Sequence, residues 1–195
     1  MFWMVGVLAA ASEPAVDRIE ARYRGAAGFS AQFVQVSRTP YGEERATGRV
    51  SLAAPDRFRW DFDPDGRAWV SNGAEMAIWD PVARSVMRTA APNLASTPAL
   101  ALLSSLDRLD EVFAVQVVSD AADGIQLKLT PPRADGLVAS VKLLAETSGA
   151  VRSVTIFDAM GNSTEVSLSG ISLAAVPADR FTLATPAGAT EFRAP

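Results

Sequence analysis

Hydrophobic and polar residues alternate through most of the chain from Phe29 onward, which is the pattern of strands that bury one face. The alternation is clearest in residues 54–62, where Phe58, Trp60 and Phe62 fall on one side and charged residues fall on the other. Three large rings on one face need a deep core, a partner protein or an apolar ligand to cover them.

Two segments have helical spacing instead. In residues 14–24, apolar residues recur every three to four positions after Pro14, and Gly25 ends the pattern, so a helix is predicted there. In residues 97–109, Thr97-Pro98 has the form of a helix start, and a break is expected near Ser104-Ser105. The leucines of this second segment are Leu100, Leu102, Leu103, Leu106 and Leu109.

The strands follow one another at short spacing. Asn72-Gly73, between two apolar runs, predicts a hairpin, and glycine-containing turns separate the strands of the second half. This spacing predicts a mainly β fold with a few helices, in which one antiparallel sheet meanders and curls. The expected strands are residues 29–33, 46–52, 58–62, 69–71, 76–79, 86–89, 112–118, 125–130, 138–145, 151–157 and 164–173.

Composition narrows the possible chemistry. The chain has 195 residues, 49% of them hydrophobic, and suits one domain. It contains no His and no Cys, which excludes His-based triads, thiol nucleophiles, Cys/His zinc sites and disulfides. The net charge of −4 offers no basic face for nucleic acid. No cofactor or metal is expected, and we expect a protein that is not an enzyme.

Carboxylates are the remaining candidates for catalysis. Asp61, Asp63 and Asp65 alternate beside a Pro64-Asp65-Gly66 turn. Aspartates at such turns usually cap backbone N–H groups, so this role is favoured over a hydrolytic one. A carboxylate enzyme is kept as an alternative hypothesis, and loss of a hydrolytic activity on replacing Asp61 and Asp63 would support it.

The first residues predict export. Residues 1–11 are an unbroken apolar run that is too short to span a bilayer and ends in Ala9-Ala10-Ala11, a small-residue cleavage pattern. We interpret residues 1–11 as a signal peptide and 12–195 as a single domain, although no basic residue precedes Arg18. A frayed apolar terminus or a buried first strand is the alternative interpretation.

In this order, the motifs resemble the LolA family of periplasmic outer-membrane lipoprotein carriers. The resemblance covers most of residues 29–188. Its motifs are residues 29–35, 47–52, 55–60, 70–73, 78–81 and 97–103, and the closing residues 181–188.

This resemblance implies an unclosed antiparallel β-barrel with helices forming a lid over an apolar cavity. It also implies a function: acylated lipoproteins are accepted from an inner-membrane ABC transporter and delivered to an outer-membrane receptor or the outer membrane itself. A periplasmic monomer is expected. A sensor or regulatory lipid-binding module on the same scaffold is the alternative function.

Candidate site residues come from the resemblance and from the alternation together. The resemblance implies that Phe58 and Trp60 line the cavity and that Leu100, Leu102 and Leu103 lie on a lid helix, whose apolar stripe also includes Leu106. In the carriers that it resembles, an arginine that helps to hold the lid closed occupies the position of Ala54. Alternation adds to the cavity Phe33, Phe62, Trp79, Leu127, Leu129, Val154 and Ile156.

Overall fold

A computed structural model describes residues 13–91, 98–132 and 138–194. The predicted signal peptide, residues 1–11, and the predicted helix start at Thr97 lie outside these ranges. Within the described ranges, no helix is long and apolar enough to cross a membrane. The helices are α1 (Pro14–Tyr23), α2 (Pro98–Leu103) and α3 (Leu109–Val112), and a 3-10 turn covers Ala178–Phe181.

The described residues form one 12-stranded sheet. Its first six strands are β1 (Phe29–Thr39), β2 (Gly42–Ala53), β3 (Arg57–Asp63), β4 (Ala68–Asn72), β5 (Glu75–Asp80) and β6 (Ser85–Ala90). Its last six are β7 (Ala114–Ala121), β8 (Gly124–Thr130), β9 (Ser140–Ala145), β10 (Val151–Phe157), β11 (Ser163–Ser172) and β12 (Thr190–Arg193).

The sheet consists of two antiparallel meanders joined along one ladder. Strands β1–β6 pair in chain order, strands β7–β11 do the same, and β1 pairs with β11. At the far edge β12 pairs with β6 in parallel. The strands at the two ends of the order, β12 and β7, do not pair with each other, so the sheet is open. The predicted fold, an unclosed and curved antiparallel sheet with a few helices, is confirmed.

One expected break is present, and two local differences from the predicted elements have identifiable causes. The break expected near Ser104-Ser105 separates α2 from α3, because both serine hydroxyls donate to the carbonyl oxygen of Ala101, at 3.0 and 2.7 Å. The strand expected from Val112 begins at Ala114, since Val112 ends α3. Strand β12 was not predicted, since its four residues form a short exposed edge without a clear alternation.

The C-terminal segment covers the outer face of β3–β6. Phe181 on the 3-10 turn is buried there, with the guanidinium carbon of Arg57 5.5 Å from its ring centre. Arg59 donates to the carbonyl oxygens of Arg180 and Thr182, both at 3.3 Å. The inner face of the sheet is therefore the one left for the helices.

Candidate functional site

The inner face carries a contiguous set of aromatic rings on β1, β3 and β4. The strand register places Phe33 opposite Gly48 and Gly48 opposite Phe62, and it places Trp60 opposite Trp69. The ring centre of Phe33 lies 5.0 Å from that of Trp60 and 5.6 Å from that of Phe62. These distances are typical of packed aromatic pairs. We call this surface, together with its continuation on β8–β11, the concave face.

The predicted residues of the second half lie on the same face. Leu143 of β9 pairs with Leu127 on one side and with Val154 on the other. Val141 of β9 pairs in the same way with Leu129 and Ile156. Leu127, Leu129 and Val154 are at most 1% exposed, and Ile156 is half-buried against the same core. The structure thus brings Phe33, Phe58, Trp60, Phe62, Leu127, Leu129, Val154 and Ile156 into one apolar surface.

Trp79 does not belong to this surface, and its assignment to the cavity is corrected. It pairs with Ala68 on β4, whereas its neighbour Ile78 pairs with the inward-facing Trp69. Because adjacent residues of a strand point to opposite faces, Trp79 lies on the outer face. The turn between β4 and β5 has an even number of residues, so each pair of residues across it has one odd and one even number. Trp69 and Trp79 both have odd numbers and therefore lie on opposite faces of the sheet.

Helix α2 packs on the concave face as a plug rather than a flat cover. Leu100 and Leu102 are 1% and 0% exposed, although two residues separate their directions by about 200° around a helix. A helix resting on a surface buries a single stripe, whereas one that is apolar all round is enclosed. All four predicted lid leucines, Leu100, Leu102, Leu103 and Leu106, belong to the same core as the aromatic rings.

A recess of about 340 Å³ lies beside this plug. It is bounded by the end of α1, by the β2–β3 turn at Ala54 and by the segment that follows α2. Its apolar walls include Phe29, Leu52, Leu103 and Leu106, all of which belong to the core. The recess therefore leads from solvent to the edge of the plug, and Ala54 is one of the residues that line it.

A buried carboxylate links α1 to α3. Glu20 is 4% exposed, and its Oε1 accepts the backbone N–H of Asp110 at 3.2 Å. Burial raises the pKa of Glu20, and repulsion by Asp110 raises it further, while the N–H donor opposes both. Arg108, the residue before α3, makes no capping hydrogen bond with its side chain. The carboxylate of Glu20 instead accepts an N–H group in the first turn of this helix.

Two of the three predicted turn carboxylates, Asp61 and Asp65, have structural partners. Asp61 accepts Arg59 at 2.8 Å and Arg180 at 2.7 Å, and Asp65 accepts the backbone N–H of Arg67 at 3.0 Å. That backbone N–H lowers the pKa of Asp65. Among the described residues, no three acidic side chains come together in a way that would hold a metal ion.

Trp69 and Gly48 are among the residues of the concave face that were absent from the predicted set. The ring of Trp69 packs edge to face against that of Phe62, with the ring centres 5.3 Å apart. The length of the turn between β4 and β5 could have placed Trp69, instead of Trp79, on this face. At Gly48, an added Cβ would lie 1.9 Å from the carbonyl oxygen of Asp61 and 2.9 Å from the Phe33 ring. Only glycine fits there, and no sequence signal distinguishes it from a turn glycine.

Comparisons with known proteins agree with this architecture. The sequence model of the family described as "Outer membrane lipoprotein carrier protein LolA" matches residues 24–184. An outer-membrane lipoprotein carrier protein of Dechloromonas aromatica is 29% identical over 180 residues, covering 90% of this chain and 86% of that protein. One of Bordetella pertussis is 30% identical over 185 residues, covering 92% and 85%.

A solved structure shares the fold. An uncharacterized conserved protein from Thermus thermophilus superposes with a TM-score of 0.59 at 12% sequence identity, covering 92% of this chain and 97% of that one.

Proposed function

The chain belongs to the LolA family of outer membrane lipoprotein carrier proteins, and from that premise we propose that it binds the acyl chains of lipoproteins on its concave face. The observation that supports this most directly is the plug: α2 has six residues, none of them charged, and its leucines share one buried core with the aromatic and aliphatic side chains of the concave face. An acyl chain that displaces α2 would occupy the same apolar surface.

Burial of an acyl chain and burial of the leucines around α2 contribute free energies of the same order. Burying a methylene is worth about 0.8 kcal/mol, so a chain of about twelve methylenes gains about 10 kcal/mol. Burying the four leucines of the plug segment is worth about 6–12 kcal/mol by the same scale. Closing of the plug therefore offsets a free energy of the same order as that of one bound acyl chain, which favours release of the cargo.

Membership of the family supports a wider proposal. We assign the protein to the periplasm as a single lipoprotein-binding domain, residues 12–195, behind a signal peptide. We assign it the transfer of acylated lipoproteins from the inner-membrane ABC transporter to the outer membrane or its receptor, without catalysis. Incubation with inner-membrane vesicles that contain the transporter and a labelled lipoprotein tests this role, which fails if no lipoprotein leaves the vesicles with the protein.

Tryptophan fluorescence tests acyl binding and places the site. A diacylated lipopeptide with brominated chains quenches tryptophan at close contact. In a W3F/W79F variant, which keeps Trp60 and Trp69 on the concave face, we expect strong quenching. In a W3F/W60F/W69F variant, which keeps only Trp79 on the outer face, we expect little.

The unacylated peptide is the control ligand, and competition with an unbrominated lipopeptide shows whether the second variant still binds. Equal quenching in the two variants would move the acyl chains away from the concave face. Absence of quenching in both, with no lipid or lipoprotein bound to protein recovered from a Gram-negative periplasm, would overturn the carrier function.

A further inference from the structure

The side chain of Trp60 has a buried donor without an acceptor. Trp60 is 4% exposed, and its Nε1 has no hydrogen-bond partner among the described residues. The nearest rings are those of Phe33 and Phe62, 5.0 and 6.5 Å away between centres, and Val50 lies directly opposite on β2. None of these side chains can accept a hydrogen bond.

An unpaired donor in such a place destabilises the closed state. Burying an N–H group without a partner costs free energy, and buried tryptophans usually have an acceptor. Water is a poor substitute, because a buried water needs two to four polar partners and this surface is apolar. The hydroxyl of Ser71, on the same face, already donates to the carbonyl oxygen of Asp56 and accepts the N–H of Gly73.

The second unpaired atom has a different setting. Arg57 Nε is also buried without a partner, but the same guanidinium donates through Nη2 to the carbonyl oxygen of Ala54 at 2.5 Å and lies near Phe181 on the outer face. Trp60 has a single donor and makes no such bond. Among the described residues it is therefore the buried N–H group that no side chain of the concave face satisfies, and a molecule entering that face could supply its acceptor.

We infer that the indole N–H of Trp60 donates a hydrogen bond to the carbonyl oxygen of an acyl group, ester or amide, once α2 is displaced. The inference rests on the proposed function and adds a specificity residue to it. Each acyl chain has one carbonyl at its polar end and only methylenes beyond it. A single donor on an apolar wall therefore fixes how far the chain is inserted and favours acyl chains over plain hydrocarbon.

A matched ligand pair tests this. One ligand is a long-chain acyl ester of glucose, and the other is the alkyl thioglucoside of equal chain length, whose sulfur is only a weak acceptor. We expect wild type to bind the ester about 3- to 10-fold more tightly, the value of one added hydrogen bond. In W60F the ratio should fall to about one, through loss of ester affinity alone. W69F, which also removes an indole from this face, should keep the wild-type ratio.

Indole NMR of the wild-type protein gives a second readout, for which a variant is needed only to assign the resonance. The Nε1–H resonance of Trp60, assigned by its loss in W60F, should shift downfield with the ester and much less with the thioglucoside. Equal affinities of wild type for both ligands, or an unchanged ratio in a folded W60F, would overturn the inference while leaving the carrier function intact. Binding of neither ligand to wild type would overturn the carrier function itself.

Discussion

The rings of Phe33 and Phe62 meet edge to face, 5.6 Å apart and at 83°, across the backbone of Gly48. Three adjacent strands contribute to this contact, and the central one contributes no side chain. The aromatic wall is continuous there because the middle strand leaves room for both rings.

Substituting Gly48 by Ala should therefore destabilise the protein. The added methyl would collide with the backbone carbonyl of Asp61, which cannot rotate away, and with the Phe33 ring. We expect the free energy of unfolding to fall by about 1–3 kcal/mol, as for other overpacked sites, measured by urea denaturation. Thr47→Ala, next to it on the opposite face, should change it by about 0.5 kcal/mol or less. Equal effects of the two would contradict the steric argument.

Glu20 should make stability depend on pH. Burial, the larger cause, and Asp110 raise the pKa of its carboxyl in the folded state above the unfolded value, so the folded protein binds more protons between the two pKa values. Stability should consequently fall as pH rises through that window. Glu20→Gln keeps an acceptor for the N–H of Asp110 and removes the buried charge, so its melting temperature should exceed that of wild type at pH 7.

Melting curves from pH 3 to pH 8 check this prediction. The advantage of Glu20→Gln should shrink as pH falls below the usual range for glutamate, where wild type is protonated as well. Glu43→Gln, at an exposed position on β2 paired with Arg38, is the control. An advantage of Glu20→Gln that does not vary with pH would show that titration of Glu20 is not its source.

Displacement of α2 should be visible as thiol reactivity, because the chain has no cysteine of its own. A Leu103→Cys variant should react slowly with a maleimide when empty, as Leu103 is 5% exposed, and clearly faster when an acyl lipopeptide is bound. Val82→Cys, at an 89% exposed turn, should be fast in both states. Val86→Cys, buried on the outer face, should be slow in both. A ligand-independent rate at position 103 would contradict displacement of the plug.

Substituting Ala54 by Arg should hold the plug in place. Ala54 and Leu103 line the same recess, so the longer side chain would fill space beside Leu103, where its guanidinium could donate to a carbonyl oxygen of the segment that ends α2. We expect a higher melting temperature and slower uptake of an acyl probe in stopped-flow fluorescence. Ala54→Met fills the same space without donors, so uptake as slow as that of Ala54→Arg would assign the effect to volume alone.

The sequence predicted the fold and much of the concave face for a simple physical reason. Period-two alternation is local, so Phe58, Trp60 and Phe62 are correctly placed together without knowledge of the rest of the chain. Trp79 was misplaced because its face depends on the turn that precedes it, and β12 was missed because its partner β6 lies about a hundred residues earlier. These are properties of pairing rather than of composition.

The enclosure of α2 and the unpaired indole N–H of Trp60 could not be predicted from the sequence, for a different reason. The apolar stripe of Leu100, Leu103 and Leu106 predicts one buried side, and only the three-dimensional surroundings show that Leu102 is enclosed as well. Likewise, a tryptophan in a strand gives no sign of whether its N–H will find an acceptor. Both features depend on which atoms of distant segments come together.

The single ladder between β1 and β11 has a consequence for how the protein reaches its native state. All strand pairs other than β1–β11 and β12–β6 join neighbours along the chain. The two meanders can therefore form early from local hairpins, whereas the β1–β11 seam, which joins Arg38 to Ser163, requires closure of a long chain segment. Until that closure the aromatic wall of one meander and the aliphatic wall of the other face solvent separately, and in this interval the chain is most exposed to aggregation.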